Sequence, residues 1–338
     1  MKKLLTLTLS ALFFLNSAEA KIWRVNNSVG ANADFSTMSA AITAATPGDT
    51  IHVESSSIDY GTVTVNKKLV IRGTGYFLND MPPNPKTQHN KNNASFNNIT
   101  LAAGSKGSTV DGISSNYVYL RDSLVTIQRN WINYMYLSDT RDVAGDTIRH
   151  NFINGSILLT SGSYKTRGLF VYNNIIGGQI NITSSIVANA DGYVINNTFL
   201  GNSNFVTNNF VYQNNIFNSS NFGIYQPANT FLNNVSVDAN LPPGNGNITG
   251  ATLASLYEGG STGAGYSSDA RYQLKPGSPA LGAGLLNGVT VDCGAFGGPA
   301  PYVLSGMPQM PSIYDISMPA TISSGTSAIT ISVSAAAH

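Results

Sequence analysis

Two short segments combine tyrosines with charged residues in a pattern suited to ligand binding. Residues 116–122 (NYVYLRD) and 133–139 (NYMYLSD) match at a shift of 17 residues. Successive side chains of a strand point to opposite faces, so the tyrosines of both segments should point outward and the residues between them inward. Rings one repeat apart then fall within the offset-stacking range of about 4.5–7 Å. We call the predicted cluster the tyrosine patch; its members are Tyr117, Tyr119, Tyr134 and Tyr136.

Charged side chains flank the tyrosine patch in the sequence. They are Arg121, Asp122, Asp139 and Arg141. Exposed aromatic rings beside hydrogen-bonding groups are typical of a surface that binds sugars, because an aromatic ring offers an apolar body and tyrosine adds a polar tip. An aromatic ladder that only stiffens its sheet is the alternative interpretation of the same residues.

Catalysis on a polysaccharide would need further groups. A lyase needs a base and a cation that neutralises the neighbouring carboxylate, and a glycosidase needs two carboxyl groups at a fixed separation. Asp and Glu number 17 in the whole chain, and the best fragments are Arg121 with Asp139 and Arg141, and the pair Arg149-His150. We interpret His150 as a surface or ladder residue. No grouping has zinc-ligand spacing, so no cofactor is identified, and calcium is expected only if the protein is a lyase.

The tyrosine segments belong to a longer repeat that must position them. Six copies of a pattern in which asparagine is flanked by apolar residues occur between residues 127 and 236, at intervals of 18 to 23 residues. This period is shorter than the roughly 30 residues of a strand–helix–strand unit, so each copy predicts two short strands that meet at a corner. A chain that turns the same corner once per coil stacks its strands in parallel, about 4.8 Å apart. The predicted corner residues are Asn130, Asn151, Asn174, Asn197, Asn215 and Asn234.

Asparagine suits such a corner for two reasons. Its side chain tolerates the left-handed backbone of a sharp bend, and its amide carries both a donor and an acceptor, so stacked copies can form a hydrogen-bonded ladder. Gly112 lies 18 residues before Asn130 and is expected at the same corner. The predicted fold is therefore all-β: a parallel β-helix, or solenoid, with an N-terminal capping helix and a short C-terminal β extension.

The two ends of the repeat region resemble those of a known superfamily. Residues 40–53 (AAITAATPGDTIHV) and 69–73 (LVIRG) resemble the opening of pectin-lyase-like right-handed parallel β-helix proteins. Residues 274–284 (LKPGSPALGAG) and 292–297 (DCGAFG) resemble the terminal coil of its secreted bacterial members. The resemblance implies right-handed coils and a substrate held along one parallel sheet by outward side chains. The resemblance says almost nothing about activity, since the signature motifs of pectate lyases and polygalacturonases are absent.

The sequence divides into three parts. Residues 1–20 have the basic, apolar and small-residue regions of a secretory signal peptide, which predicts a secreted protein that is periplasmic, cell-surface or extracellular. Residues 21–298 form the predicted β-helix, opened by a helix near residues 38–45 with Asp34 or Ser36 as its cap. Residues 299–338 are interpreted as a proline-rich linker and a C-terminal β-strand extension. Alternation at residues 313–316 and 329–333 predicts a strand pair lying against the solenoid, and self-assembly through these strands is the alternative.

Composition excludes several kinds of partner. The chain has 338 residues, a formal net charge of +1 and 10% charged residues, compared with about 25% in average globular proteins. Such a surface lacks the electrostatic footprint for nucleic acid or an anionic membrane. No segment after residue 20 is long and apolar enough to predict a transmembrane helix. Cys293 is the only cysteine, so no intrachain disulfide is possible, and its side chain is expected to be buried.

Three classes of function agree with these patterns. The first is a secreted protein that binds a polysaccharide or a cell-surface glycan, or serves as an adhesive scaffold, without catalysis. The second is a polysaccharide lyase or glycoside hydrolase acting on an acidic polysaccharide. The third is a structural module that assembles with partners through its C-terminal strands. A fold of this kind does not decide between them, because one scaffold carries many activities.

Overall fold

The computed structural model describes residues 20–80, 87–137, 140–159, 164–182, 190–201, 207, 209–219, 228–237 and 241–337. Over these residues the chain forms a parallel β-solenoid. The all-β solenoid predicted from the repeat is therefore confirmed. The predicted signal peptide lies outside the described residues except at residue 20. None of the helices in the described ranges is long and apolar enough to span a bilayer.

Successive coils contribute strands to two parallel sheets. Strands are numbered in chain order. Sheet A comprises β1 (Ile22–Val25), β2 (Thr50–Val53), β4 (Val70–Arg72), β6 (Thr109–Asp111), β8 (Thr126–Gln128), β11 (Thr147–Arg149), β14 (Thr166–Tyr172), β17 (Ala190–Ile195), β19 (Phe210–Gln213) and β21 (Thr230–Leu232), with β10 (Val143–Ala144) beside β14. Sheet B comprises β3 (Thr62–Val65), β5 (Ser95–Leu101), β7 (Ser114–Leu120), β9 (Trp131–Leu137), β12 (Phe152–Ile153), β15 (Ile175–Ile176), β18 (Thr198–Phe199), β20 (Ile216–Phe217) and β22 (Val235–Ser236), with β13 (Ile157–Leu159) beside β9 and β16 (Ile180–Ile182) beside β13.

The core is a stack of inward-pointing apolar side chains, one from each coil. Ile71, Val110 and Ile127 are direct neighbours in sheet A, and all are almost fully buried. The column continues with aliphatic side chains from Ile51 to Val194 and ends in aromatic ones, Trp23 at one end and Tyr212 and Phe231 at the other. Since burial of one large aliphatic side chain contributes about 1.5–3 kcal/mol, stability is spread along the axis instead of being concentrated in one centre.

A column of left-handed residues forms the corner between the two sheets. Its non-glycine members have φ angles between 53° and 56°, and Gly112, with φ of 71°, holds the same position one coil before Arg129. We call this set the bend column; its members are Gly112, Arg129, His150, Asn173, Asn196, Asn214 and Asn233. The sequence analysis assigned the bend to Asn130 and its equivalents, and this was wrong by one residue. The bend falls on the residue before each of them.

The residues after the bend form the predicted ladder. All six asparagines are fully buried. From Asn130 to Asn215, each Nδ2 donates to the Oδ1 of the next member at 2.9–3.1 Å, and to a backbone carbonyl of the preceding coil. Asn234 donates in turn to Asn247 at 3.1 Å, so the ladder has a seventh member that the repeat did not predict. Buried amides are stable here because their donors and acceptors are satisfied.

The N-terminal end is covered by helix α1 (Met38–Ala44), as predicted. Its cap differs from the prediction, because the Thr37 side chain accepts the hydrogen bond at the helix start. Asp34 instead accepts a hydrogen bond from the backbone N–H of Arg24 at 2.8 Å. The helix residues that close the open end of the core are Met38, Ala41 and Ile42.

The C-terminal third leaves the solenoid pattern and folds back over it. After the short helix α2 (Leu253–Leu256) come two antiparallel hairpins, β23 (Gly284–Leu286) with β24 (Val289–Val291), and β25 (Ser312–Ser317) with β26 (Ser332–Ala336). The second hairpin was predicted, although β26 begins three residues later than the alternation indicated. Residues 285–308, which we call the strap, run along the bend column in the opposite direction to the coils.

Side chains of the bend column hold the strap. Asn196 Nδ2 donates to the carbonyl of Asp292 at 2.8 Å, and Asn173 Nδ2 donates to the carbonyls of Ala295 and Gly297 at 2.9 and 2.7 Å. Residues predicted as a proline-rich linker are part of the strap, and Tyr302, Ser305 and Met307 among them are buried. Cys293 is also buried, which raises the pKa of its thiol to about 12. The bend column therefore has two uses, one in turning the chain and one in binding its later part.

Candidate functional site

Neighbouring strands β7 and β9 of sheet B bring the tyrosine patch together. Tyr117 pairs with Tyr134, and Tyr119 pairs with Tyr136, in the parallel register that the shift of 17 residues predicts. Val118 and Met135, which lie between the tyrosines, are fully buried in the core. Alternation along the two strands therefore directs all four phenol rings to the outer face.

The four rings form a two-by-two stack. Tyr119 and Tyr136 have centroids 5.0 Å apart with ring planes 11° from parallel, and Tyr117 and Tyr134 lie 6.3 Å apart at 17°. The two columns also touch, since the Tyr117 ring lies 6.4 Å from Tyr119 and 6.1 Å from Tyr136. Each ring is half-buried. Burial and the neighbouring phenols raise the pKa of Tyr136, so its hydroxyl stays protonated and able to donate a hydrogen bond at neutral pH.

The coil after the patch makes room for it with a glycine. A Cβ atom at Gly155 would lie 2.6 Å from both the carbonyl oxygen of Asn133 and Cε1 of Tyr134. A side chain at this position would therefore displace the ring or the strand. Leu158 pairs with Tyr136 and borders the patch at this end.

Of the predicted flanking charges, the structure brings Arg121 to the patch. Its guanidinium carbon lies 5.0 Å from the ring centroid of Tyr119, a cation–π contact. Asp122 is turned inward, where its Oδ2 accepts hydrogen bonds from the backbone N–H groups of both Gly104 and Lys106, at 2.8 and 3.0 Å. Arg141 is exposed, and Asp139 lies outside the described residues. Asp122 thus holds a turn, and Arg121 is the predicted charge that touches a tyrosine ring.

The patch continues into a polar surface that sequence reasoning missed. Thr64 and Thr100 precede Tyr119 in one column of outward residues, and Thr62 and Asn98 precede Tyr117 in the other. Thr64 and Thr62 are exposed, whereas Thr100 is covered by its neighbours. Asn98 Oδ1 is buried without a hydrogen-bond partner among the described residues, which leaves an unused acceptor beside the patch. The alignment of these residues with the tyrosine patch could not be predicted from the sequence, because the loop between β4 and β5 breaks the spacing of the repeat.

The other fragment considered for catalysis, Arg149-His150, has a structural role. Arg149 donates to Gln128 Oε1 at 2.8 and 2.6 Å and to the Tyr172 hydroxyl at 2.9 Å. His150 is buried in the bend column and donates through Nε2 to the carbonyl of Ala300 in the strap at 2.9 Å. Burial lowers the pKa of His150 to about 4. The imidazole is therefore neutral and enclosed, so a substrate cannot reach it as a base.

Comparison with known proteins does not identify the chain. No protein family, no curated protein and no solved structure matches it. Within the described residues, no group of three or more His, Cys, Asp or Glu side chains is placed to hold a metal ion. The functional assignment therefore depends on the geometry of the outer face of sheet B.

Proposed function

We propose that this protein binds a polysaccharide or cell-surface glycan through the tyrosine patch and serves as a surface or adhesive scaffold. The observation that carries the proposal is the two-by-two stack of tyrosine rings on the outer face of sheet B. We further propose that residues 1–20 direct export and that the protein is secreted. The same proposal includes membership of the pectin-lyase-like superfamily, with right-handed coils.

The chemistry of this face favours a sugar as its ligand. Phenol rings offer apolar area to the C–H faces of a pyranose, and their hydroxyls both donate and accept hydrogen bonds. The polar neighbours in the same columns are uncharged: Thr62, Thr64, Asn98 and Thr100. Outward groups recur at the strand spacing of about 4.8 Å, close to the length of one sugar ring. A linear glycan lying along the solenoid axis would therefore meet one pair of side chains per sugar.

Retention on insoluble polysaccharides and titration calorimetry with soluble fragments test the proposal. Tyr119→Ala and Tyr136→Ala should each weaken binding by about tenfold or more, as expected for buried aromatic anchors. Tyr193→Ala is the matched control, because Tyr193 stacks on Phe170 at 5.3 Å on the outer face of sheet A. Equal loss in the control and in the patch variants, with all proteins folded, would remove the patch from the binding site. No retention of the wild-type protein on any glycan would reject the function.

The lyase alternative depends on Arg121. In this alternative, the guanidinium beside Tyr119 neutralises the carboxylate of an acidic sugar bound on the patch, with calcium as a supplement. The same panel of polysaccharides, followed by ultraviolet absorbance, detects the unsaturated products that a lyase releases. Absorbance that rises with the wild-type protein and is lost in Arg121→Ala would replace the binding role with the catalytic one.

Assembly through the C-terminal strands is the remaining proposal from the sequence. Its support is the exposure of apolar side chains around the last hairpin, including Ile313 and Val333. It concerns a surface separate from the tyrosine patch, so either role can hold without the other.

A further inference from the structure

The last hairpin, β25 with β26, has two outer edges with different surroundings. On the side of β25, the solenoid reaches the hairpin, because the backbone N–H of His89 donates to the carbonyl of Ile313 at 2.7 Å. On the other side, β26 pairs with β25 and with no other strand in the described part of the chain. The outer backbone edge of β26 (Ser332–Ala336) is therefore open to another strand.

The open edge lacks the features that normally prevent strands from pairing between molecules. Natural edge strands are protected by lysine, by proline, by a bulge or by a cover. Strand β26 has the sequence SVSAA, without charge or proline. The irregularity in the pairing falls on β25, between Ile313 and Asp315, so β26 keeps a regular backbone. Its N–H and C=O groups can thus continue a ladder of hydrogen bonds.

Exposed apolar side chains surround this edge. Val333 on β26 is 56% exposed, and Ile331 just before it is 51% exposed. Further members of the same segment are also exposed: Ile316, Met318, Ile322 and Ile329. A concentration of apolar surface of this kind on a soluble protein marks an interaction site. The partner should therefore supply both a strand edge and apolar side chains.

We propose that this partner is a second copy of the chain, whose β26 pairs antiparallel with the first across a two-fold axis. Residues 316–337 contain no charged side chain, so two copies meet without repulsion between like charges. Antiparallel pairing of one strand with itself is self-complementary, as a two-fold interface requires. The product is a four-stranded sheet, and sheets of three or more strands are stable where a lone hairpin is marginal.

The geometry also limits the assembly to two copies. Continued growth of the sheet would need the outer edge of β25, and the solenoid reaches that edge at Ile313. Pairing therefore closes at a dimer. This inference rests on the proposal of assembly through the C-terminal strands and names its partner. It does not rest on glycan binding, since the hairpin and the tyrosine patch share no residue.

Charge substitution at the centre of β26 tests the pairing. Ser334 is the central residue of the strand, so a two-fold axis there brings both copies of residue 334 together. Light scattering and sedimentation of the full chain should show a dimer whose dissociation constant rises about tenfold or more in Ser334→Lys and in Ser334→Glu, because like charges then face each other. Mixing the two variants should restore dimers that contain one copy of each.

The outcomes separate the possible explanations. Ser323→Lys places the same charge in the exposed turn of the hairpin and should leave the dimer unchanged. A monomeric wild-type protein at tens of micromolar would overturn the proposal, and so would dimers that persist in both Ser334 variants. If the mixture fails to form dimers although both variants keep the wild-type circular dichroism spectrum, the pairing across β26 is refuted. Loss of glycan retention has no bearing on these results.

Discussion

Arg129 and Asp111 form a bidentate ion pair between adjacent coils at the corner of the solenoid. Arg129 donates through Nε and Nη2 to the two carboxylate oxygens at 2.7 and 2.6 Å. The Asp111 side chain is fully buried, and that of Arg129 is almost so. Arg72 lies 3.5 Å from the same carboxylate. Later coils have histidine or asparagine at the bend-column position of Arg129. The arginine charge pairs with a carboxylate that those coils lack at the position equivalent to Asp111.

Removal of Asp111 should destabilise the fold strongly. Asp111→Ala leaves the Arg129 guanidinium buried without its counter-ion, and breaking a buried pair in this way costs about 3–5 kcal/mol. Urea unfolding monitored by circular dichroism gives the free energy of unfolding. Asp191→Ala is the control, since the Asp191–Arg167 pair is exposed and such pairs contribute about 1 kcal/mol or less. If the free energy of unfolding falls by similar amounts in Asp111→Ala and Asp191→Ala, burial does not determine the cost of breaking the ion pair.

The asparagine ladder should be most sensitive in its middle. Asn174→Ala removes an amide that donates to Asn197 Oδ1 and to the carbonyl of Ile148, both at 2.9 Å, and whose Oδ1 accepts two hydrogen bonds from Asn151. The partners stay buried and unpaired, at a cost of about 3 kcal/mol or more in unfolding free energy. Asn247→Ala, at the partly buried end of the ladder, should cost less than half of this. Equal losses by calorimetry would count against a continuous ladder.

Asp146 should make stability fall as pH rises. It is buried, its Oδ1 accepts a hydrogen bond from the N–H of Val125 at 2.9 Å, and its Oδ2 has no partner among the described residues. Burial, with a further contribution from Asp122, raises the pKa of Asp146 from 3.8 to about 7. The folded protein thus keeps a proton that the unfolded chain releases, so stability declines between about pH 4 and pH 7.

Asp146→Asn checks this pH dependence. The amide carries no charge to desolvate, so the variant should exceed the wild-type unfolding free energy by about 2–4 kcal/mol at pH 8 and match it near pH 4. Asp142→Asn, at an exposed carboxylate, should show no such divergence. Parallel curves for Asp146→Asn and the wild type would disprove the assignment.

His150 should produce the opposite trend at lower pH. Its pKa is lowered to about 4 by burial, with Arg149 and Arg129 nearby, whereas the unfolded value is 6.5. Below pH 6.5 the unfolded chain gains a proton that the folded protein excludes, so this contribution is complete above pH 6.5 and is lost as pH falls towards 4. The contribution of His150 to the free energy of unfolding is about 2–3 kcal/mol. His150→Asn, which restores the residue type found later in the bend column, should remove this contribution, so the urea midpoint of the variant should rise relative to that of the wild type as pH falls from 7 to 5.

The repeat and the ladder could be predicted because apolar residues flank each asparagine at fixed offsets. Asn247 was missed because Gly244-Asn245-Gly246 precede it where the other copies have apolar residues, although Ile248 follows it. The bend was misplaced because pairs such as Asn173-Asn174 look alike in sequence, although the left-handed backbone belongs to the first and the ladder to the second. Arg129 and His150, the two members of that column that are neither glycine nor asparagine, were the signal that the columns differ.

The candidate site was predictable where it follows strand alternation and not where it depends on turns. The register of Tyr119 with Tyr136 follows from a shift of 17 residues. The inward turn of Asp122 depends on the backbone N–H groups of Gly104 and Lys106, which lie in a preceding coil and have no local sequence signal. The strap was hidden for the same reason, since its contacts with Asn173 and His150 join residues more than 100 positions apart.

The strap makes the earlier coils depend on a segment that is synthesised after them. A ribosome delivers the amino-terminal coils first, yet Asn173, Asn196 and His150 find their carbonyl partners only in residues 285–308. A nascent chain, or one shortened by a premature stop codon before residue 285, leaves these three side chains without those carbonyl partners. The early coils therefore reach their full set of hydrogen bonds only after residues 285–308 have been synthesised.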